Sequence, residues 1–97
     1  MRNFIFHPIA DIEIQQAAYY YERQRKNLGE EFIEEIYQYI EKIIDNPFLY
    51  PLALNHVRCC VVKRFPYKIL FQIMKNEEIQ ILGIMHQHRQ LSDWNRH

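Results

Sequence analysis

The amino-acid sequence predicts an α+β domain with the element order β-α-α-β-β-β. Three runs rich in β-branched and aromatic residues follow one another between residues 57 and 85. Before them, two stretches carry apolar residues at helical spacing, and a short apolar run lies near the start of the chain. A length of 97 residues suits one modest core. We therefore expect residues 1–97 to form a single domain.

The first strand and helix are predicted around a proline. Residues 3–6 have strand character, and Pro8 ends that strand because it suits the first turn of a helix, where its missing N–H is not needed. From there to about Lys26 the apolar residues follow helical spacing. Tyr19, Tyr20 and Tyr21 are consecutive, so they cannot all face one side of a helix. We expect one or two of them to lie against the core and the others at the surface.

The second helix is predicted from about Glu30 to Asn46. It follows a break at residues 27–29 and has a clear amphipathic stripe of Phe32, Ile33, Ile36, Ile40, Ile43 and Ile44. Acidic residues crowd its first turns, where the helix dipole favours them. Pro47 stops the helix, since the residue before a proline is disfavoured in the α region. Residues 48–55 are expected to form a loop whose apolar side chains cap one end of the core.

The three later runs, residues 57–62, 67–74 and 79–85, are predicted to form an antiparallel meander. The connections between them have four residues, which suits hairpins, whereas parallel strands would need much longer crossovers. The N-terminal strand must pair with this meander, and the helical hairpin must cover one sheet face to bury its apolar stripe. The expected architecture is a helical hairpin packed on a small, twisted, mainly antiparallel sheet.

Charge and cysteine usage limit the classes of function. Residues 1–50 hold five basic and nine acidic residues, a net charge of −4, whereas residues 51–97 hold seven and three, a net charge of +4. With a pI near 7.0, the chain lacks the strong basic footprint of a typical nucleic-acid binder. Cys59 and Cys60 are adjacent in a predicted strand, so they should point to opposite faces and stay reduced. No run resembles a signal peptide or a membrane span, and we expect a cytoplasmic protein without a membrane partner.

Several short motifs in a fixed order carry a family resemblance. They are residues 6–10, 20–22, 28–29, 46–51 and 63–67, Arg58, the ending 86–89, and Trp94. On these motifs the chain resembles the RelE/ParE superfamily of toxins from bacterial type II toxin–antitoxin systems, and within it the ParE-like plasmid stabilization branch. One position departs from the family pattern. The pattern usually has a proline two residues after the arginine of the ending, Arg89, and this chain has Leu91 there.

The resemblance implies the fold deduced above and a protein that arrests growth. It also implies a cognate antitoxin that wraps the toxin with an extended or helical segment. ParE-like members are thought to poison DNA gyrase without being enzymes, and this is the favoured interpretation. RelE-like members cleave mRNA on the ribosome without a metal, which is the first alternative. A third is an inactive relative that only binds antitoxin. None of these interpretations requires a cofactor.

The endoribonuclease alternative has its own candidate residues. RNA cleavage without a metal needs groups that transfer protons and cations that stabilise the charged phosphorane. His86 and His88 are the candidates for proton transfer, and they share one face of a strand. The candidate cations are Arg58, Arg64 and Arg89, and in this alternative the histidine pair and the arginines converge on the exposed face of the sheet. A histidine pair could also supply two metal ligands, but no carboxylate or cysteine accompanies it in a recognisable pattern, so we expect no metal site.

The same region supplies the candidates for binding a target or partner, namely Arg58, Arg64, Tyr67, His86, Arg89, Trp94, Tyr19 and Tyr20. Arg58 lies in an otherwise apolar strand, which leaves a surface-facing site or an internal ion pair as explanations. Arg64 is either a target contact or a partner for a C-terminal carbonyl. The tyrosine run and the loop 48–54 are apolar surfaces suited to an antitoxin.

Overall fold

The computed structural model describes residues 3–91, which form two helices and five strands. The elements, in chain order, are β1 (Phe4–Phe6), α1 (Pro8–Gln24), α2 (Leu28–Asp45), a 3₁₀ turn (Pro47–Leu49), β2 (Leu52–Leu54), β3 (Val57–Val61), β4 (Tyr67–Ile73) and β5 (Ile79–His86). The predicted helices and the four predicted strands are all present, within two residues at their ends. No helix within residues 3–91 is both long and apolar enough to span a bilayer.

The five strands form one sheet in the order β1-β5-β4-β3-β2. β3, β4 and β5 are the predicted antiparallel meander, with Tyr67 opposite His86 and Arg58 opposite Phe71. β1 pairs with β5 in parallel, and Phe4 lies opposite Ile79. The prediction that the N-terminal strand joins the meander is therefore confirmed, and the sheet is mixed but mainly antiparallel.

β2 was not predicted, because its sequence lies inside the expected loop 48–55. It has only three residues and pairs with β3 in an irregular register. The expectation that the apolar side chains of this segment cap the core is wrong for Phe48 and Leu49, which are 62% and 73% exposed. Leu52 is also exposed. Pro47, just before this segment, is buried, and Tyr50 packs against the core. The apolar side chains between and after these two residues remain at the surface.

Both helices begin where side chains satisfy backbone N–H groups. The His7 Nδ1 atom accepts a hydrogen bond from the Ile9 N–H at the start of α1. At the start of α2 the Glu22 carboxylate accepts hydrogen bonds from the N–H groups of Asn27 (2.9 Å) and Gly29 (3.0 Å). Since an anion is favourable at a helix N-terminus, Glu22 of α1 fixes the start of α2 at Leu28, two residues before the predicted start.

The main core lies between the helical hairpin and one face of the sheet. Four residues of the predicted apolar stripe of α2 are buried there (Phe32, Ile36, Ile40 and Ile43), while Ile33 and Ile44 are partly buried and pack against the same cluster. The strands β3, β4 and β5 contribute Cys60, Ile69, Phe71, Ile79, Ile81 and Ile84. Of the three consecutive tyrosines, Tyr21 packs against this core while Tyr19 and Tyr20 are exposed, as predicted.

A smaller apolar cluster occupies the other face of the sheet. Leu70 and Met85 are buried in it, and Cys59 packs beside them. Cys60, the next residue, belongs to the main core, so the two cysteines point to opposite faces as expected, and both are free thiols. Because Leu70 lies between Ile69 and Phe71 of the main core, alternation along β4 explains the two clusters.

Candidate functional site

The site lies where β4 begins and β5 ends. Tyr67 and His86 are opposite each other in the antiparallel register, and their ring centroids are 5.9 Å apart. The ring of His88 lies 5.1 Å from that of His86, and the His88 N–H donates to His86 Nδ1 at 3.2 Å. The three rings form a continuous group because the chain turns immediately after the last strand residue.

The C-terminal half of α1 supplies the facing wall. Tyr20, Tyr21 and Gln24 of α1 line an open cleft of about 420 Å³, together with Pro66, Tyr67 and His86 from the sheet. Tyr21 forms the deeper part, since its ring also contacts Phe32 and Phe65 of the core. Tyr20 is 58% exposed and lies at the mouth. The cleft is therefore walled mainly by aromatic rings.

Burial raises the pKa of the deeper tyrosine hydroxyls. For Tyr67 burial is the largest cause of the raised pKa, followed by electrostatic interactions with Tyr20 and with Glu13. Burial also raises the pKa of Tyr21, with smaller contributions from Tyr67 and Tyr20. Both hydroxyls are thus neutral at physiological pH and available as hydrogen-bond donors as well as acceptors.

Gln87 anchors the end of β5 to the turn between β3 and β4. Its backbone N–H donates to the Pro66 carbonyl at 2.9 Å. Its side-chain Nε2 donates to the carbonyls of Val62 (2.9 Å) and Tyr67 (3.4 Å). These bonds hold the turn and the strand end together, and so fix the position of His86 relative to Tyr67.

Arg64 lies outside the cleft and forms an ion pair. Its Nη2 donates to the Glu31 carboxylate of α2, and its guanidinium lies 5.2 Å from the ring of Phe65. Arg25 also pairs with Glu31, at 3.2 Å. The hydrogen bond from Arg64, followed by that from Arg25, holds the pKa of Glu31 below its ordinary value. Arg64 therefore has an ion-pair partner that the sequence did not indicate.

Arg58 is not close to the histidines. It is half-buried near the other end of β3, where Nη1 donates to the Tyr50 carbonyl at 2.7 Å and the guanidinium lies 5.2 Å from the ring of Phe48. Its register partner on β4 is Phe71, which is four residues from Tyr67. This separation corresponds to about 13 Å along the strand. The expected convergence of arginines and histidines on the exposed sheet face is therefore wrong for Arg58. Within residues 3–91 the half-buried guanidinium of Arg58 is bound by a backbone carbonyl and has no carboxylate partner.

His86 lies on a different side of the sheet from the one expected, and His88 lies in the turn after β5 instead of sharing a strand face with it. His86 follows Ile84 of the main core by two residues, so both side chains point to the helix-covered face, and His86 faces α1 across the cleft. On the uncovered face, the Lys68 Nζ atom donates to the Arg89 carbonyl at 2.9 Å. The side chain of Arg89 itself is exposed.

The remaining candidates are divided between surface and core. Tyr20 and Tyr67 line the cleft. Tyr19 is 67% exposed, and the guanidinium of Arg23 lies 5.8 Å from the centre of its ring. Trp94 lies outside the described residues. The sequence interpretation did not include Gln24 and Pro66 as site residues. The spacing of Tyr20, Tyr21 and Gln24 places them on neighbouring helix positions, but only the fold shows that this side of α1 faces the sheet end.

No cluster of three or more histidine, cysteine or carboxylate side chains within residues 3–91 is arranged to hold a metal ion.

A family model described as the ParE toxin of the type II toxin–antitoxin system parDE matches residues 4–91. The chain belongs to the ParE toxin family. The resemblance identified from the motifs is thereby confirmed over nearly the whole chain. Membership in this family makes the chain the toxin component of a type II toxin–antitoxin system, and it implies a cognate antitoxin as partner.

Solved structures of related toxins have the same fold. A chain of the chromosomal ParDE toxin–antitoxin system from P. aeruginosa matches with a TM-score of 0.63 and 20% identity, over 89% of this chain and 96% of that chain. The isolated E. coli RelE toxin matches with a TM-score of 0.60 and 9% identity, over 96% of this chain and 92% of that chain. No curated protein matches the sequence. At these identities the two structures establish that the ParE-family chain shares its α+β fold with both toxins.

Proposed function

We propose that this ParE-family toxin arrests growth by protein–protein contact with a topoisomerase-type target such as DNA gyrase, and that it does not cleave RNA. The proposed place of action is the cytoplasm, where both cysteines remain reduced thiols. The observation that carries the proposal is that two of the three candidate arginines, Arg58 and Arg64, lie apart from the histidine pair. A toxin that works by contact needs an accessible recognition surface, whereas a nuclease needs cations gathered around the reacting phosphate.

Two of the three candidate arginines are held elsewhere. Arg64 is paired with Glu31 of α2, and Arg58 donates to the Tyr50 carbonyl about 13 Å along the sheet from the position of Tyr67. Each of these arginines would have to leave its present partner before it could bind a phosphate. A near-neutral pI is consistent with this distribution, because binding of an RNA backbone depends on clustered Lys and Arg.

The endoribonuclease remains the second candidate because of one specific arrangement. His86, His88 and the neutral hydroxyl of Tyr67 belong to one group of rings. A histidine beside a tyrosine hydroxyl supplies a base and a donor for an oxyanion, which is part of what RNA cleavage requires. Of the three candidate arginines, Arg89 is the nearest in sequence to the two histidines, and it is exposed. This alternative predicts loss of mRNA rather than damage to DNA.

Induction in a bacterial host tests the two candidates directly. The toxin is expressed from a tight promoter, and pulse-labelled DNA and protein synthesis are followed together with growth. We expect an early fall in DNA synthesis with filamentous cells, and purified toxin should inhibit supercoiling by purified gyrase. An early fall in protein synthesis with fragmented mRNA would instead establish the nuclease. Normal growth with folded protein present would favour the relative that only binds antitoxin.

Two substitutions ask whether the ring group is the active surface. His86→Ala and Arg89→Ala should both relieve toxicity without unfolding the protein. His56→Ala and Lys75→Ala are matched controls and should remain toxic, since these residues lie at exposed turns, one before β3 and one between β4 and β5. If toxicity persists in both test variants with the fold intact, the surface around β5 is not the one that reaches the target.

We further propose that the antitoxin covers the apolar segment around β2. Phe48, Leu49, Leu52 and Leu54 are exposed next to one another in the chain, and β2 is an edge strand of the sheet. An exposed apolar edge is a favourable place for a partner to add a strand or an amphipathic helix. The tyrosine run of α1 is the second apolar surface available to the same partner.

A further inference from the structure

The cleft between α1 and the sheet end has an unusual chemical character. Four of its six lining residues carry aromatic rings (Tyr20, Tyr21, Tyr67 and His86), and the other two are Gln24 and Pro66. Neighbouring rings are 5.3 Å apart for Tyr20 and Tyr21 and 6.5 Å apart for Tyr21 and Tyr67, with steep interplanar angles. Rings set at steep angles present both faces and edges to their surroundings. Within the described chain, the lining contains no lysine or arginine.

A carboxylate lies beside this cleft. Glu13 is on the same side of α1 as Tyr20, two helical turns earlier, and its Oε1 accepts a hydrogen bond from the Ile84 N–H of β5 at 3.2 Å. Because Ile84 precedes His86 by two residues, the carboxylate is held against β5 next to the cleft. Its negative charge contributes to the raised pKa of Tyr67. Aromatic faces and a neighbouring carboxylate together favour a cation.

Three of the chain's cations are engaged at other positions. Arg23 lies 5.8 Å from the ring of Tyr19, the exposed tyrosine outside the cleft. Arg64 is paired with Glu31, and Lys68 donates to a backbone carbonyl on the opposite sheet face. The ring of Tyr19 is thus already in contact with a guanidinium, whereas Tyr20 and Tyr67 line the cleft.

We propose that this cleft, formed by Tyr20, Tyr21, Tyr67 and His86 with Glu13 beside it, receives an arginine side chain of a protein partner. A planar guanidinium stacks on aromatic rings and is less strongly hydrated than an ammonium. Gln24 Oε1 and the tyrosine hydroxyls are acceptors for its N–H groups. The proposal deepens the proposed function, on which it rests, by naming the chemistry that a protein target would present.

A nucleotide fits the same cleft less well. A base would stack on the rings, but its phosphate would meet the charge of Glu13 without a cation in the lining to balance it. An arginine side chain meets complementary charge and the same π faces. The two ligand classes are therefore distinguishable with small probes on the isolated protein.

Titration of the ¹⁵N,¹³C-labelled toxin with N-acetyl-arginine methylamide is the direct test. We expect saturable shifts of the ring signals of Tyr20, Tyr67 and His86. The neutral isostere N-acetyl-citrulline methylamide should bind at least about threefold more weakly, because it keeps the shape and loses the cation. The lysine analogue should fall between the two. Equal binding of the citrulline and arginine probes, or the absence of shifts in the cleft, would overturn the proposal.

Variants locate the binding. Tyr20→Leu removes one π wall and should weaken arginine binding by about threefold or more, whereas Tyr19→Leu, at the adjacent and more exposed position, should leave it unchanged. Glu13→Gln keeps an acceptor for the Ile84 N–H and removes the charge, so it should also weaken binding. If Tyr19→Leu and Tyr20→Leu have the same effect, the probe binds elsewhere. Stronger shifts with adenosine monophosphate than with the arginine probe would assign the cleft to a nucleotide.

These results are separable from the test of the target. Arginine binding without inhibition of gyrase would support the cleft and remove gyrase as the target. Inhibition of gyrase without arginine binding would retain the target and reject the cleft.

Discussion

Gly29, at the start of α2, lies so close to Ala18 of α1 that a Cβ atom placed on it would be 2.5 Å from the Ala18 carbonyl oxygen. The obstacle is backbone, which cannot move aside as a flexible side chain can. The same Cβ would be 3.1 Å from the side chain of Glu22, whose carboxylate accepts the Gly29 N–H. This contact sets how closely the two helices approach each other.

Gly29→Ala should therefore destabilise the toxin, although alanine is the better helix former. We expect a loss of about 1–3 kcal/mol in the free energy of unfolding, as for overpacking of a close interior contact. Urea denaturation followed by circular dichroism measures it. Gln38→Ala, on the exposed side of the same helix, is the control and should stay within about 0.5 kcal/mol. An unchanged midpoint for Gly29→Ala would mean that the helices separate easily.

The ion pairs of Glu31 predict a pH-dependent contribution to stability. Arg64 and Arg25 lower the pKa of this carboxyl in the folded state, so its contribution is present above its ordinary pKa of about 4.3 and is lost as the pH falls through the lower folded value. The difference in unfolding free energy between the native chain and Glu31→Gln should be largest near pH 7 and shrink toward pH 3. Urea midpoints across this range measure it. A constant difference would show that the ion pairs do not contribute, and Glu34→Gln on the same helix is the control for helix charge.

The two adjacent cysteines should react at different rates with a thiol reagent. Burial raises the pKa of Cys60 to about 11, and it raises the pKa of Cys59 with a small opposing effect of Lys68. At pH 8 a thiol with a pKa near 11 is ionised in only about one molecule per thousand, and the thiolate is the reactive form.

We therefore expect Cys59→Ser, which keeps only the buried Cys60, to react much more slowly with dithiobis(nitrobenzoate) than Cys60→Ser. Unfolding in urea should make the two variants equally fast. Rapid reaction of the native Cys59→Ser variant would place Cys60 at the surface instead of in the core.

The apolar segment around β2 should control antitoxin binding without affecting the fold. Leu49→Ser and Leu52→Ser remove exposed apolar side chains, so the free toxin should keep its unfolding free energy within about 0.5 kcal/mol. At the centre of an interface each change should weaken binding of the cognate antitoxin by about tenfold. Isothermal titration calorimetry measures the affinity.

Ile12→Ser, an equally exposed apolar position on α1, is the matched control for this interface and should bind normally. The antitoxin should also raise the melting temperature of the native toxin, because it binds the folded state. A normal affinity for both leucine variants would move the interface to another surface, with the tyrosine run of α1 as the next to be tested.

Much of the architecture could be predicted because its signals are local and periodic. The stripe from Phe32 to Ile43 has helical spacing, and the β-branched runs separated by four residues indicate hairpins. β2 gave no such signal, since three residues contain too little alternation and its pairing with β3 is irregular. The pairing of β1 with the meander also followed from a physical argument, namely that an isolated strand must join a sheet, but its parallel direction was not predicted.

The site could be predicted only in part, because its contacts join distant positions. His86 and Tyr67 were candidates from sequence, and they do meet across β4 and β5. The ion pair between Arg64 and Glu31 joins residues 33 positions apart, and neither residue type indicates the other in the sequence. Arg58 illustrates a further limit. A half-buried arginine requires a hydrogen-bond partner. Here the partner is the backbone carbonyl of Tyr50, and because every residue has such a carbonyl, the sequence does not indicate which one binds.

The parallel pairing of β1 with β5 determines when a newly made toxin can first harm the cell that makes it. Phe4 leaves the ribosome long before its partner Ile79 has been translated, and the helical hairpin is also complete before the central strands that cover it exist. The nascent chain therefore cannot close its sheet until β5 has been synthesised. Translation products that stop before residue 79 should be both unfolded and harmless, so the cell is exposed to the toxin only after almost the whole described chain has been translated.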